Sequence, residues 1–359
     1  MIPASGAVDF GQIQTEFGGS NPISLNEYYS GSVGVLGGAV PASGAISVDN
    51  LRGTNAYKGY GFSSFSTPVV CKAFSLNFNT EAVAYCSTAT VGSPASVNTH
   101  VNSATKAYQM AQQGSSTFAI TFLTEVSELI TSTVTAGSTN GGTTACTNSS
   151  TAGYQYLGQA NANAIPSLPT LRTNISKLTF SNQTYSTASG STPTCTFTSY
   201  HSCQSSTKGY TAGSDTWTGD LYNPVDNFSG ALRVMTFSAE SVATSGNSLT
   251  GPAGLSSGGN SSTTGYFLGR AGAPVVYASF TVYNLTNSVN FSNDTCADVN
   301  CAVSNTNGNM GITNSRSKIY YYASGTTYAY NFTNNTNSSI STGTAAPSQY
   351  AAQSYTINP

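Results

Sequence analysis

Acids and large aromatics crowd together in one stretch of the chain, Asp215-Thr216-Trp217-Thr218-Gly219-Asp220-Leu221-Tyr222, followed by Asp226. Glycoside hydrolysis needs two carboxyl groups about 5 to 9 Å apart. Here Asp220 and Asp226 would be the pair, with Trp217 and Tyr222 stacked on a sugar ring. The plainer reading is a turn rich in Asp and Gly beside a buried Trp. On that reading the chain is not expected to be an enzyme, and no catalytic residue is assigned. Glu125 and Glu128, three apart in an apolar run, read as a solvated edge.

Seven cysteines stand at 71, 86, 146, 195, 203, 296 and 301. Nearest-neighbour pairing would join Cys71 to Cys86, Cys195 to Cys203 and Cys296 to Cys301, leaving Cys146 alone; buried thiols are the alternative. No Cys-x-x-Cys occurs, and His100 and His201 stand in unrelated contexts, so no metal site is expected. Asn293, Asp294 and Asp298 supply oxygens in a short loop, but the alternating acids of a twelve-residue calcium loop are absent. No cofactor is expected. The densest aromatic patch is Tyr320, Tyr321, Tyr322, Tyr328 and Tyr330. Strand alternation puts Tyr320 and Tyr322 on one face and Tyr321 on the other. These tyrosines pack in a core, stack between subunits or contact a glycan, as do Trp217 and Tyr222 in the second and third of these readings.

The elements that position these residues are set by composition. In 359 residues there are 11 Lys and Arg and 13 Asp and Glu, a net charge of −2. Charged residues make up 7%, against roughly 25% in ordinary domains. Nucleic acid is excluded as a partner because phosphate binding needs clustered cations. No apolar run approaches the roughly 20 residues of a membrane span, and the N-terminus lacks the basic and apolar regions of a signal peptide. Aromatics at 11% argue against disorder. β-branched and aromatic runs broken by Gly, Asn and Ser predict strands joined by turns. Strands are expected at 118–123, 231–237 and 274–283, and a hairpin pairs 318–322 with 326–330 across Ala323-Ser324-Gly325. A segment from Ser96 to Ala107, with Val97, Val101, Ala104 and Ala107 at helical spacing, reads as a helix or a polar loop. Long surface loops are expected at 135–153, 185–215 and 242–265.

The N-terminal region carries a repeat. Ile2-Pro3-Ala4-Ser5-Gly6-Ala7-Val8-Asp9-Phe10-Gly11-Gln12-Ile13 returns 38 positions later as residues 40–51, from Val40 and Pro41 through Ser43, Gly44 and Ile46 to Leu51. Each copy reads as a Pro-led entry, a Ser-Gly turn, a short strand and one helical turn. Asp9 with Gln12 and Ser24 with Glu27 have capping-box spacing, marking short helices. Large apolar residues are few over 1–60, so this segment is expected to order only against something else.

The order Ile2-Pro3-Ala4-Ser5-Gly6-Ala7, Ile13-Gln14-Thr15-Glu16-Phe17-Gly18-Gly19 and Asn21-Pro22-Ile23-Ser24-Leu25-Asn26-Glu27-Tyr28-Tyr29 resembles the N-terminus of virion structural proteins of tailed phages, most of all fibre and neck proteins of marine cyanophages. The family commonly has a basic residue and then Gly-Gly after the Tyr pair, where this chain has Ser30-Gly31-Ser32. The resemblance covers about the first 60 residues and implies a module that plugs an appendage into the virion. Its docking residues would be Pro3, Ser5, Gly6, Ile13, Phe17 and Leu25, then Tyr28 and Tyr29, and in the second copy Pro41, Ser43, Gly44, Ile46 and Leu51. It also implies assembly in the host cytoplasm, exposure on the particle exterior, and other virion proteins as partners. By fibre analogy a homotrimer or other homo-oligomer follows, with a host-surface glycan as a further partner and no membrane insertion.

The expected fold is therefore mainly β: an extended docking segment with short helices over 1–60, then a β-sandwich or fibre-like β body over 61–359, with 160–185 the one candidate division. The expected function is that of a tail or neck fibre or appendage. A capsid decoration protein and a glycan-degrading tailspike are the alternatives.

Overall fold

Antiparallel hairpins are the building unit, as runs of β-branched and aromatic residues closed by Ser, Asn and Gly turns require. In a computed structural model of the chain, the described residues are 2, 5–17, 21–22, 24–29, 35–36, 40–41, 44–51, 55–56, 58–66, 69–90, 100–110, 117–130, 145–156, 159–160, 170–171, 174–191, 202–218, 225–250, 257–272, 281–299, 301, 312–315, 317–323 and 326–340.

Besides two short ladders, Val35–Leu36 with Asn55–Ala56 and Gln159–Ala160 with Thr170–Leu171, six larger sheets follow one another along the described residues, here called blades. Blade 1 has three strands, Lys58–Ser66, Val69–Asn77 and Val83–Thr90. The others have four each. Blade 2 runs from His100–Asn102 through Lys106–Gln109 and Thr117–Thr121 to Val126–Ile130. Blade 3 uses Ala145–Asn148, Ala152–Tyr156, Asn174–Thr179 and Thr184–Ser191, so one sheet takes strands from both sides of 160–170. Blade 4 is Ser202–Gln204, Lys208–Thr218, Val225–Thr236 and Ser241–Ser248. Blade 5 is Ser257–Asn260, Thr264–Gly272, Thr281–Asn290 and Cys296–Val299. Blade 6 is Ile312–Asn314, Lys318–Ala323, Thr326–Asn331 and Thr336–Ile340.

The blades form a propeller-like ring, not the expected sandwich or fibre-like stack. A sandwich sets two sheets face to face. Here each sheet turns its two faces to two different neighbours. In blade 6, Tyr320 stacks on Phe78 of blade 1, with ring centroids 5.3 Å apart, while Ile319 and Tyr321 share a buried cluster with Tyr266 and Leu268 of blade 5. First strands meet along the inside. Ser202 donates to the Cys146 carbonyl, Asn102 N–H to Asn148 Oδ1 (3.4 Å), Asn148 N–H to Gln204 Oε1 (2.8 Å), and Asn314 Nδ2 to the Asn260 carbonyl (2.9 Å). A row of side-chain amides thus satisfies backbone groups that have no further strand to pair with.

Residues before blade 1 build a small core of their own. Ile2, Ile13, Phe17, Tyr28 and Leu51 are fully buried together, with Val8, Leu25, Val40, Ile46 and Val48 packed against them. Both copies of the repeat feed this core through equivalent residues: Ile2 and Val40, Val8 and Ile46, Ile13 and Leu51. The segment therefore has a core of its own, and it also rests on blade 1, where Asn77 Nδ2 donates to the Glu16 carbonyl at 2.6 Å. It has a helix, Phe10–Phe17, and two 3₁₀ turns, Leu25–Tyr28 and Val48–Leu51. Asp9 and Gln12 form a reciprocal capping box, at 3.0 and 2.8 Å. Ser24 caps through Asn26 N–H instead of Glu27, because the turn that follows is 3₁₀.

Two local expectations are corrected. Residues 100–102 and 106–109 are paired strands, Val101 opposite Tyr108 and Asn102 opposite Ala107. The helical spacing of Val101 and Ala107 reflects two strands burying neighbouring positions, with the Ser103 hydroxyl accepting from Thr105 and Lys106 N–H to make the turn. The presumed loops 135–153, 185–215 and 242–265 contain much of blades 3, 4 and 5; among the described residues their Ser and Thr belong to strands and the turns between them. Of 274–283, residues 281–283 lie in the strand Thr281–Asn290, and 274–280 lie outside the described residues. The hairpin 318–323 with 326–331 forms as expected, Tyr321 opposite Tyr328.

Candidate functional site

Each blade joins the next through one repeated constellation. The second strand (in blade 1, the first) presents a tyrosine: Tyr60, Tyr108, Tyr154, Tyr210, Tyr266 and Tyr320. The next blade answers with a phenylalanine at the end of its third strand (in blade 1, its second). Tyr60 stacks on Phe122 (5.0 Å), Tyr108 on Phe180 (5.2 Å), Tyr154 on Phe237 (5.6 Å), Tyr210 on Phe291 (5.3 Å) and Tyr266 on Phe332 (4.9 Å), before Tyr320 on Phe78 closes the ring. Three residues after each Phe comes a residue with positive φ: Glu81, Glu125, Gln183, Glu240, Asp294 and Asn335, at 49 to 59°. Glycine would adopt that turn with less strain. It would also lack the side chain that, in every blade but blade 6, reaches back to the preceding blade.

Where that side chain is an acid, it holds the tyrosine and a lysine. Lys208 Nζ lies 2.6 Å from Asp294 and the Tyr210 hydroxyl donates to the same carboxylate at 2.7 Å. Lys318 and Tyr320 meet Glu81 at 2.7 and 3.2 Å, and Lys58 and Tyr60 meet Glu125 at 2.9 and 3.5 Å. In blade 3 Ala152 replaces the lysine, and Lys177, cross-strand from Tyr154, reaches Glu240 instead. In blade 2, Lys106 pairs with Glu128, and Gln183 bridges the two. Glu125 is therefore an inter-blade partner, whereas Glu128, on the outer edge strand of blade 2, pairs with a lysine of its own blade and keeps much of its side chain in solvent. Lys58 also faces Glu16 of the N-terminal helix at 3.4 Å. Burial alone would depress its pKa, but Glu125 and Glu16 outweigh burial and raise it.

A groove of about 580 Å³ opens beside one of these latches, between blades 4 and 5. Its walls are the turn Ser205-Ser206-Thr207, Ser262 and Thr263 from the matching turn of blade 5, and Asn290-Phe291-Ser292. All are neutral. Phe291 is half-buried, with its ring held against Tyr210.

No protein-family model and no curated protein matches the chain.

Among the described residues, five large apolar side chains are exposed, all before residue 130: Phe10 on the N-terminal helix, Tyr85 on blade 1, and Leu123, Val126 and Leu129 on blade 2. Lys58 links these elements, through Glu16 on the helix and through Glu125 beside Val126. No described helix is long and apolar enough to cross a membrane.

The residues picked from sequence fall as follows. Of the docking set, Ile13, Phe17, Tyr28 and Leu51 are the segment's core and Leu25 and Ile46 flank it, so they shape the segment without reaching outward. Ser5, Gly6 and Gly44 are exposed, and Pro41 and Tyr29 half-buried. Gly6 and Gly44 share a φ of 89 and 90°, and the Tyr29 hydroxyl donates to the Gly44 carbonyl at 2.5 Å. Pro3 and Ser43 lie outside the described residues. Cys86, Cys203 and Cys296 carry free thiols, so none of the three nearest-neighbour disulfides is formed. Cys296 packs beside Cys203 and Phe267 while Cys301 packs beside Tyr266 and Tyr321, which separates that pair. Burial pushes the Cys86 thiol up to about 12, leaving it inert. Asp294 is taken by Lys208 and Tyr210, and Asp298 accepts from Asn287, so the calcium candidate is dissolved into other contacts. Among the described residues no cluster of His, Cys, Asp and Glu fits a metal.

Tyr320 and Tyr330 are buried and Tyr328 is half-buried against Tyr321, so they serve the ring and offer no glycan face. Trp217 lies directly across the hairpin from Asp226, but their side chains, and that of Tyr322, lie outside the described ones. Asp220, Tyr222, Cys195 and His201 are likewise outside. What the sequence reading missed is the latch itself. Its signal is Asn/Gln-Ser-x-Thr/Ser-x-x-Tyr at 102–108, 148–154, 204–210, 260–266 and 314–320, each followed by Phe-x-x-Glu, Asp, Gln or Asn.

Proposed function

We propose that the chain is a virion-associated protein of a tailed bacteriophage, an appendage whose N-terminal segment holds it to other virion proteins while the propeller-like body is presented outward. The observation that carries this reading is the twice-built unit in residues 2–51, whose two copies place the same positive-φ glycine and the same buried residue 38 positions apart on a shared core. A segment with its own core keeps its outer surface for a partner, and this one presents Phe10 and the Ser5-Gly6 turn. The resemblance to virion proteins concerns the same residues. Its action is adhesive and not catalytic; low charge suits contacts repeated many times over a particle. Copy number, trimeric by the fibre analogy, would follow the symmetry of the docking ring.

A capsid decoration protein is the second reading, and the ring favours it in one respect. Both faces of every blade are covered within one chain, so the body needs no parallel copies, as a fibre shaft would. Immunogold labelling of purified particles with an antibody to this chain separates the readings. Label at the tail or neck supports the appendage, label over the shell supports decoration, and particles without the chain contradict both.

A further inference from the structure

The geometry points to the groove between blades 4 and 5 as a binding site for a neutral saccharide. This inference does not rest on where the protein resides. A cavity of about 580 Å³ lies within the range of small-ligand sites, roughly 300 to 1,000 Å³, and would seat one or two sugar rings. Its lining selects the ligand class. No lysine, arginine or acid lines it, and the nearest charges, Lys208 and Asp294, satisfy each other at 2.6 Å. Phosphates and nucleotides would lose their water without gaining a counter-charge. A purely apolar ligand would strip water from the hydroxyls and amide around it. A molecule that is polyhydroxylated, uncharged and apolar on its C–H faces matches the hydroxyls and the half-buried ring of Phe291 together.

The walls are held in place before any ligand arrives. Ser205 Oγ accepts from Thr207 and Lys208 N–H at 3.3 and 3.0 Å, and Ser261 Oγ from Thr263 and Thr264 N–H at 3.4 and 3.1 Å. Asn290 Oδ1 accepts from both the amide and the hydroxyl of Ser292, at 2.9 and 2.8 Å. Locked turns of this kind lower the ordering cost of binding. They project Ser206 and Ser262, the middle residues of two equivalent turns, towards solvent on either side of the groove. In blade 2 the middle position is Ala104, so the hydroxyl is a feature of particular blades and not of the turn.

Ligand-observed NMR on the full chain tests this, with glucose, galactose, N-acetylglucosamine and their β-linked dimers as probes and inorganic phosphate as the charged control. At least one sugar is expected to bind, and Ser206→Arg with Ser262→Arg is expected to weaken it by about tenfold or more. Ala104→Arg, the same change in an equivalent turn elsewhere, is expected to leave binding intact. All three positions are exposed, so the fold should survive, which circular dichroism checks. Failure of every sugar, binding unaffected by the paired arginines, or phosphate binding as well as sugar would overturn the site, while leaving the virion reading untouched.

Discussion

Ile319 of blade 6 occupies the space that Gly259 of blade 5 leaves open: a Cβ on Gly259 would lie 2.7 Å from Ile319 Cγ1. At the preceding contacts the sizes are exchanged. Val101 fills against Gly153, Thr147 against Gly209 and Cys203 against Gly265, the bulky residue on the first strand of one blade and the glycine on the second strand of the next. A Cβ on Gly209 would come within 2.5 Å of Thr147 Oγ1. Close packing requires only that each pair fill its space once, so the bulk can sit on either side.

This exchange predicts a reciprocal rescue. Gly259→Val should cost about 1–3 kcal/mol through overpacking. Ile319→Gly should cost about 3–5 kcal/mol through the cavity it leaves. The double variant recreates the Val101–Gly153 arrangement and should recover about 1–3 kcal/mol of the sum, as for residues in direct contact. Denaturant midpoints measure this; simple additivity would mean that the two residues do not share one space.

The latches should differ in strength according to their partners. Tyr210 donates to a carboxylate, and Tyr210→Phe should cost about 1.5–3 kcal/mol, as expected for hydrogen bonds to charged groups. At the next contact the acid is replaced by Asn335, which accepts from Tyr330, and Thr264 stands where Lys208 does. Tyr266→Phe should therefore cost about 1 kcal/mol or less. Equal losses in equilibrium unfolding would refute a carboxylate-centred latch.

Alkaline pH should open the ring. All six latch tyrosines have raised pKa values, in each case mainly because burial disfavours the phenolate; that of Tyr154 reaches about 12. With folded values above the ordinary 10.0, their contribution is fully present below about pH 10 and is lost as pH rises through the folded values. Phenolate absorbance from these six should appear in one step together with loss of the β circular-dichroism signal above about pH 10. A gradual titration of all tyrosines with the β signal intact would contradict this.

Much of the chain was legible as β, and the terminal hairpin and the 38-residue repeat were readable in place. The ring was not. Its tyrosines stand at 60, 108, 154, 210, 266 and 320, so the interval varies from 46 (108 to 154) to 56 (154 to 210), and the shared signature is only seven residues long between turns of changing length. Glu125 looks like a surface acid because its lysine is 67 positions away, and the closing pair, Lys318 and Glu81, is 237 apart. Alternation at Tyr320 and Tyr321 correctly demands a partner on each face; only a ring supplies both from the same chain. The thiols escaped for a related reason: local spacing suggests disulfides, whereas inter-blade packing decides which way each cysteine points.

The central claim, that residues 2–51 hold a self-sufficient body to a virion, is tested most directly by incorporation. Full-length chain and a chain lacking residues 2–51 would each be supplied during growth of the phage proposed to encode it, and purified particles quantified for each by mass spectrometry. The account predicts that the full chain is incorporated and the shortened one, still folded as a ring by circular dichroism, is left behind. Equal incorporation of both would contradict it.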